Sequence, residues 1–427
     1  MNNSRVKLSY AAKCAMAVSG LILSSCAADE VEVVNHGTEI TFTTRVSRAT
    51  EIDIKNFNGF YVYADAAGYP TMFINGDEAK PLSDPDSNGH NSFGLENKYY
   101  WPSDVETIRF WAYGPSGKRD EGGLNVTPQI TVNSQAFSDV TPLQSLTDGG
   151  KDQRDFVVAY TEVERGSATG MAVNLQFNHA FAQVLVNAKL GEEGNRVHVK
   201  GAWIMNVASK GGLTFSEESQ YDDVNHMKWE PSYSNLTSYG YMLTQPDVLN
   251  KGAYTPLIGG KDNSSLMLVP QKRGKVTFTD NKADKGAYIM VLCRVEAEHK
   301  GATHVEGEDE TKATTGNDAI FVEGDKHYHQ LFPAPVNGKF DKDKYGYVCV
   351  PVDIEWKPGH KYVYNLVFCG KTSGAGIYPP NPGEGFSSDN VIPTPDGDEG
   401  KVILNDPISF DVSVGSWTEI TDTPDVQ

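Results

Sequence analysis

Positive charge is in short supply in this sequence: 37 Lys and Arg stand against 56 Asp and Glu, for a formal charge of −19. With no basic field to gather phosphate counterions, nucleic acid is excluded as a partner. Cysteine is scarce, at five in 427 residues. Cys293, Cys349 and Cys369 each lie in an apolar run. Their odd number and irregular spacing make neither a disulfide framework nor a zinc site, so buried free thiols are expected. No apolar run reaches the roughly 20 residues of a spanning helix, and nothing past residue 26 has a long helical period.

Signatures of chemistry are missing as well. There is no G-x-S-x-G, no H-E-x-x-H and no Cys/His pairing. Gly370-Lys371-Thr372 imitates the end of a phosphate loop, but Asn365 stands where the earlier glycine is required. Asp84, Asp86, Asn88 and Gly89 begin like a calcium loop, yet position twelve is Leu95 and Pro85 falls inside the turn. His327 and His329 would share a strand face, with His304 and Glu306 close in sequence, and a solvated polar segment accounts for them. His179, in F-N-H-A-F, reads as a packed, hydrogen-bonded residue. The expectation is no catalytic residue, no metal and no cofactor.

What the sequence does have is aromatic residues, 20 Tyr, 18 Phe and six Trp, set in period-2 alternation. Ile40, Phe42, Thr44 and Val46 fall on one face of a first strand. Further strands are expected at 60–63, 108–113, 173–189, 197–207, 266–269, 287–295, 345–354, 361–368 and 408–414, with Gly, Asn, Asp and Pro clusters between them. The fold class is all-β, with sandwiches covering the sheet faces. The polar stretch at 162–170 is the best domain boundary. That divides the chain into a segment at 26–48, an N-terminal domain at 49–165 and a C-terminal domain at 166–427. Within the last, a Pro- and Gly-rich loop at 371–400 would tether the final strand with slack.

Residues 1–25 read as a targeting segment. Arg5, Lys7 and Lys13 give it a basic start, and the apolar stretch at 11–23 is too short to span a bilayer. It ends Leu23-Ser24-Ser25-Cys26, the lipobox pattern, so Cys26 is expected to be lipidated, after cleavage by signal peptidase II, and to anchor the chain on a membrane. Asp29, Glu30 and Glu32 behind it resemble the surface-export signal of Bacteroidetes lipoproteins, which implies an outer-membrane, surface-exposed location.

Taken in order, the strand segments resemble the Bacteroidetes fimbrillin family, the Mfa-like type V pilus subunits. They are I-T-F-T-T-R-V-S-R-A-T at 40–50, Y-Y-W-P at 99–102, I-R-F-W-A-Y-G-P at 108–115 and D-F-V-V-A-Y at 155–160. L-Q-F-N-H-A-F-A-Q-V-L-V at 175–186 follows, then V-K-G-A-W-I-M-N-V-A-S-K-G-G-L-T-F at 199–215 and L-V-P-Q at 268–271. W-K-P-G-H-K-Y-V-Y-N-L at 356–366 and I-S-F-D-V-S-V-G-S-W at 408–417 complete the series. The resemblance implies two tandem transthyretin-like β-sandwich domains in a pilus subunit that serves adhesion. It implies cleavage by a trypsin-like, Arg-specific protease at the end of the first strand, with Arg48 the best match and Arg45 the runner-up. Loss of that strand would open a groove for a strand of another subunit, of the same or a different kind. Ile408, Phe410, Val412 and Val414 form the candidate donor; the alternative is an ordinary closing strand. The rival function is a glycan-binding surface lipoprotein, with Trp101, Trp111 and Trp229 as sugar-stacking residues.

Overall fold

In the computed structural model, the alternating segments of residues 42–179 pair into a closed ring of seven strands. Around the ring these are Phe42–Val46, Val173–His179, Val157–Glu164, Thr107–Gly114, Phe60–Ala66, Ile74–Pro81 and Ser92–Leu95, the last pairing back to the first. The structure describes residues 39–46, 58–83, 92–117, 124–143, 153–165, 167, 172–215, 227–260, 265–300, 320–323, 326–383, 385–404 and 406–416. The targeting segment, Cys26, Arg48, residues 84–89, His304 and Glu306 lie outside them. All the described residues belong to one compact unit, Gly37–Gln427.

The ring's interior takes one side chain in two from each strand. Phe42, Phe60, Phe93, Phe110 and Phe177 are fully buried there. Phe42 meets Phe60 and Phe110 edge-on at 5.9 and 5.8 Å between centroids, the arrangement that ring quadrupoles favour. The ring includes both Val157–Glu164 and Val173–His179, paired antiparallel, so the segments on either side of the stretch at 162–170 belong to one ring. The chain leaves the ring later, at Ala180 and Phe181, where it breaks the single strand expected at 173–189 in two.

A smaller sheet, made of Met227–Pro231, Gly211–Phe215, Ser134–Pro142, Pro128–Thr131 and Leu124–Asn125, packs on the outside of the ring. Tyr113, Phe137, Phe156 and Phe215 form that contact, with Phe137 stacked on Phe215 at 5.4 Å.

The second half is a two-sheet sandwich. One sheet runs Thr255–Ile258, Ala182–Leu190, His360–Phe368, Ser409–Ser416, with Leu266–Leu268 also paired to Ala182–Leu190. The other runs Leu236–Val248, Asn195–Ala208, Tyr288–Lys300, Lys326–Phe332, Ile320–Glu323, with Tyr345–Pro351 also paired to Tyr288–Lys300. One core lies between them: Val184, Val186, Tyr364 and Leu366 from the first sheet meet Ile204, Ile289, Val291 and Val350 from the second. Cys293, Cys349 and Cys369 are free and buried. Burial pushes all three thiols up, Cys369 to about 11, which leaves them unreactive. No helix among the described residues is long and apolar enough to cross a membrane.

The loop at 371–400 is not slack. It folds back over the outer face of the larger sheet, where Phe386 wedges against Trp203 at 5.4 Å and Tyr347 at 6.1 Å. Tyr347 donates its hydroxyl hydrogen to the Phe386 carbonyl at 2.8 Å. Backbone bonds close the loop's neck: Tyr378 N–H to Lys401 O, Ile403 N–H to Gly376 O and Gly374 N–H to Pro407 O. A Cβ at Gly374 would lie 2.0 Å from the Asp406 carbonyl oxygen, so the neck demands glycine there. Composition alone predicts a loose tether because Pro and Gly patterns say nothing about bonds between segments 30 residues apart.

Candidate assembly site

The first strand, Phe42–Val46, is held on both sides. It runs parallel to Val173–His179 over five pairs, from Phe42 opposite Val173 to Val46 opposite Phe177. On the other side Phe42 and Thr43 pair antiparallel with Phe93 and Ser92. Ile40 N–H donates to Tyr99 O at 2.9 Å and Val173 N–H to Thr41 O at 2.8 Å. Ile40, Phe42 and Thr44 all point inward and are buried, at 5, 0 and 2 % exposure. The expected inward face is therefore present through Thr44. Arg45 lies within the ladder, its backbone opposite Gln176.

Among the described residues this strand alone joins Val173–His179 to Ser92–Leu95. Taking it out would break the ring and leave two unpaired strand edges facing an apolar slot. Burial of Ile40 and Phe42 contributes about 1.5–3 kcal/mol each, before the ladder bonds are counted. Unpaired edges of that kind seek another strand.

The last strand, Ser409–Ser416, has the opposite setting. It pairs on one side only, antiparallel to His360–Phe368 over eight pairs, and ends its sheet. Phe410, Val412 and Val414 sit opposite Leu366, Tyr364 and Tyr362, so they share the inward face of that sheet. Their partners are buried, but they remain 39, 38 and 56 % exposed, because the sandwich core ends before reaching them. Ser409, Asp411 and Ser413 on the other face are exposed as well. Of the four alternating residues only Ile408, just before the strand, is buried, and it sits next to Pro407 at the loop's neck. The strand is an uncovered apolar ribbon fixed at its base.

The remaining expected residues fall elsewhere. Trp111 is buried, Trp101 donates its indole N–H to Val105 O at 2.8 Å and packs on the ring's core, and Trp229 packs beside Phe181 at 5.9 Å. Trp111 is thereby closed to a sugar, while Trp101 and Trp229 are half-buried and spend part of their surface on packing. His179 is buried, with Nδ1 at 2.5 Å from Asp155 Oδ2, as the reading of F-N-H-A-F expects. His327 and His329 are both half-buried on the strand Lys326–Phe332. Among the described residues no group of three His, Cys, Asp or Glu side chains could hold a metal ion.

One constellation went unseen at the level of sequence. Glu296 is fully buried and accepts hydrogen bonds from Arg294 Nε at 2.6 Å and Arg196 Nε at 2.7 Å, with His198 Nε2 at 3.5 Å. Arg196 also lies 3.5 Å above the Tyr328 ring. Burial pushes the Glu296 carboxyl up, but the His198 and Arg294 contacts outweigh it and hold the group down at about 2. The one trace in the sequence is Arg294 and Glu296 two apart in an apolar strand, which puts both on one face. Nothing local tells that Arg196 and His198 sit across from them.

Comparison with known proteins places these features in context. The pattern of the fimbrillin-like family matches residues 44–376, more than three quarters of the chain. Fimbrium subunit Fim1C of Phocaeicola vulgatus is 23% identical over 294 residues, covering 63% of this chain and 74% of that protein. Among solved structures, a fimbrial assembly protein of Parabacteroides distasonis has a TM-score of 0.33 at 7% identity, covering 78% of this chain and 92% of its own. A protein of Bacteroides eggerthii solved as a candidate cell adhesion protein has a TM-score of 0.40 at 12% identity, covering 89% and 97%. Scores of that size do not define a shared fold.

Proposed function

The chain belongs to the fimbrillin-like family, and from that premise we propose that it is a structural or accessory subunit of a cell-surface pilus acting in adhesion. It is exported as a lipoprotein on Cys26, held at the outer membrane, and cut after Arg48 to release the first strand. The ring and the two-sheet half are then its two tandem transthyretin-like domains. The observation that carries this reading is the ring's dependence on one strand: Phe42–Val46 is the single link across the slot between Val173–His179 and Ser92–Leu95. A strand supplied by another chain would restore both ladders and fill the pockets left by Ile40 and Phe42. Arg45 pairs within the ladder opposite Gln176. A protease that needs a free extended stretch is thereby kept from Arg45, which favours Arg48 as the cut.

The last strand supports the donor half of the scheme. Its alternating Phe410, Val412 and Val414 are already uncovered, so transfer to another subunit's slot would bury apolar area that is exposed in the monomer. Eight paired residues at about 3.3 Å each give it a reach of roughly 26 Å from its pinned base. The decisive experiment is limited trypsin digestion with N-terminal sequencing. Cleavage after Arg48, a lower melting temperature and polymerisation of the cut product are expected. A synthetic peptide of residues 408–414 should restore the melting temperature. A cut protein that melts as before and stays monomeric would remove the opened-slot mechanism.

A further inference from the structure

The loop at 371–400 does more than cover a sheet: with the short hairpin Phe278–Thr279 and Lys282–Ala283 it encloses a cavity of about 220 Å³. Tyr347 and Phe386 line its base: Tyr347 stands on the face of the larger sheet turned away from the sandwich core, and Phe386 reaches it from the loop. Asn281, at the tip of the hairpin, Asn381, Asp396 and Glu399 stand around the opening. No described hydrogen bond or ion pair uses Asn281, Asp396 or Glu399. Asn381 accepts from Gly383 N–H through Oδ1 at 3.1 Å, which leaves its NH₂ group to spare.

We propose that this cavity is a binding site for a neutral sugar residue of a surface glycan. The polar set decides the class. Two carboxylates supply acceptors only, and two carboxamides supply N–H donors together with further acceptors. A ligand that answers both must itself present donors and acceptors close together, as the vicinal hydroxyls of a sugar do. A lysine or arginine head group carries donors alone and leaves the amide N–H groups unanswered. Pro393 and Pro395, both exposed, with the nearly buried Tyr347 and Phe386 beside them, give the C–H face of a pyranose ring apolar atoms to rest on. The volume falls below the roughly 300–1,000 Å³ of sites for drug-sized ligands, so one ring fits and an extended chain does not. Anionic sugars are disfavoured, since Asp396 and Glu399 meet them in a chain whose formal charge is −19.

The site goes beyond the proposed pilus role and needs no strand exchange, because the last strand lies in the other sheet. Its test therefore uses the uncut full chain, and failure leaves the trypsin experiment untouched. Saturation-transfer NMR and calorimetry with glucose, galactose, mannose and N-acetylglucosamine come first, followed by an array of neutral and sialylated glycans. At least one neutral sugar is expected to bind. The Asn281→Gly/Asp396→Asn variant should bind it about tenfold more weakly or worse, with an unchanged melting temperature. Glycine keeps the left-handed turn that Asn281 occupies at φ 57°, and Asp396 is exposed, so neither change threatens the fold. Absence of binding by every neutral sugar, or equal binding by the variant, overturns the proposal. Preference for a lysine-rich peptide, or for sialylated over neutral glycans, overturns the assignment of ligand class.

Discussion

The first and last strands share one sequence pattern and live in opposite surroundings. Both alternate apolar with polar residues, Ile40/Phe42/Thr44 against Phe410/Val412/Val414. The first is paired on both edges and buried on its inner face; the last is paired on one edge and exposed on both faces. Alternation therefore records a strand with two chemically different faces, not that the apolar one is buried in its own subunit. The first strand fills a slot that its own ring makes. The last carries an apolar face that its own sandwich leaves uncovered. A filled slot in one half and an uncovered strand in the other suit a chain of subunits.

The sharpest way to break that contrast is to truncate one aromatic residue in each strand. Phe42→Ala removes a fully buried ring in contact with Phe60 and Phe110 and should cost about 3–5 kcal/mol. Phe410→Ala, at 39 % exposure, should cost well under half of that. Urea denaturation of the two variants measures both. Equal losses would mean that the last strand is as integral to the monomer as the first.

Acid weakens the half that carries the last strand through a different group. Folding lowers the Glu296 carboxyl from an ordinary 4.5 to about 2. A carboxyl lowered by folding adds its full share of stability above the unfolded value and gives it up as pH falls toward the folded one. Stability should therefore decline between about pH 4.5 and pH 2, by about 3 kcal/mol from this group at most. Glu296→Gln should start less stable at pH 7 and show a flatter decline across that window. Denaturant melts at half-unit pH steps would reveal it, and a variant with the parent's slope would show that Glu296 does not set the acid response.

How much of this was legible depended on whether the signal was local. The inward set Ile40, Phe42 and Thr44 could be read because period 2 is a property of five adjacent residues. The pairing of Phe42–Val46 with Val173–His179 joins segments some 130 residues apart, and no pattern within either names its partner. The run from Leu175 to Val186 carries apolar residues on both sides of Ala180 and Phe181, so the break there, where the chain passes from ring to sandwich, is hidden by strands buried in two different cores. The polar stretch at 162–170 begins at the end of Val157–Glu164 and precedes Val173–His179, strands that pair within one ring. The Pro- and Gly-rich composition of 371–400 fits a segment whose one strand among the described residues is the two-residue Val391–Ile392. It cannot register the Tyr378–Lys401 and Gly374–Pro407 backbone bonds that pin the base of the last strand.

The smallest expected change in stability carries the clearest functional reading. Val412 and Val414 are 38 and 56 % exposed on a strand that, among the described residues, has no neighbour on its outer edge. Replacing both by serine keeps the backbone pairing with Tyr364 and Tyr362 and removes little buried area, so the monomer should change by about 0.5 kcal/mol or less. In another subunit's slot the same positions would stand where Phe42 and its neighbours stand in the ring, and two hydroxyls there would lack the partners that buried polar groups require. The Val412→Ser/Val414→Ser variant should therefore melt like the parent and be cut by trypsin like the parent. It should nevertheless fail to add to a growing polymer, while still accepting an unmodified subunit into its own opened slot. Mixing the cut variant with cut parent separates these roles, since the variant is expected at one end of short polymers and never within them. Full-length polymers of the variant alone would mean that some other segment is the donor, and that the exposed ribbon at 409–416 is only the edge of a sheet.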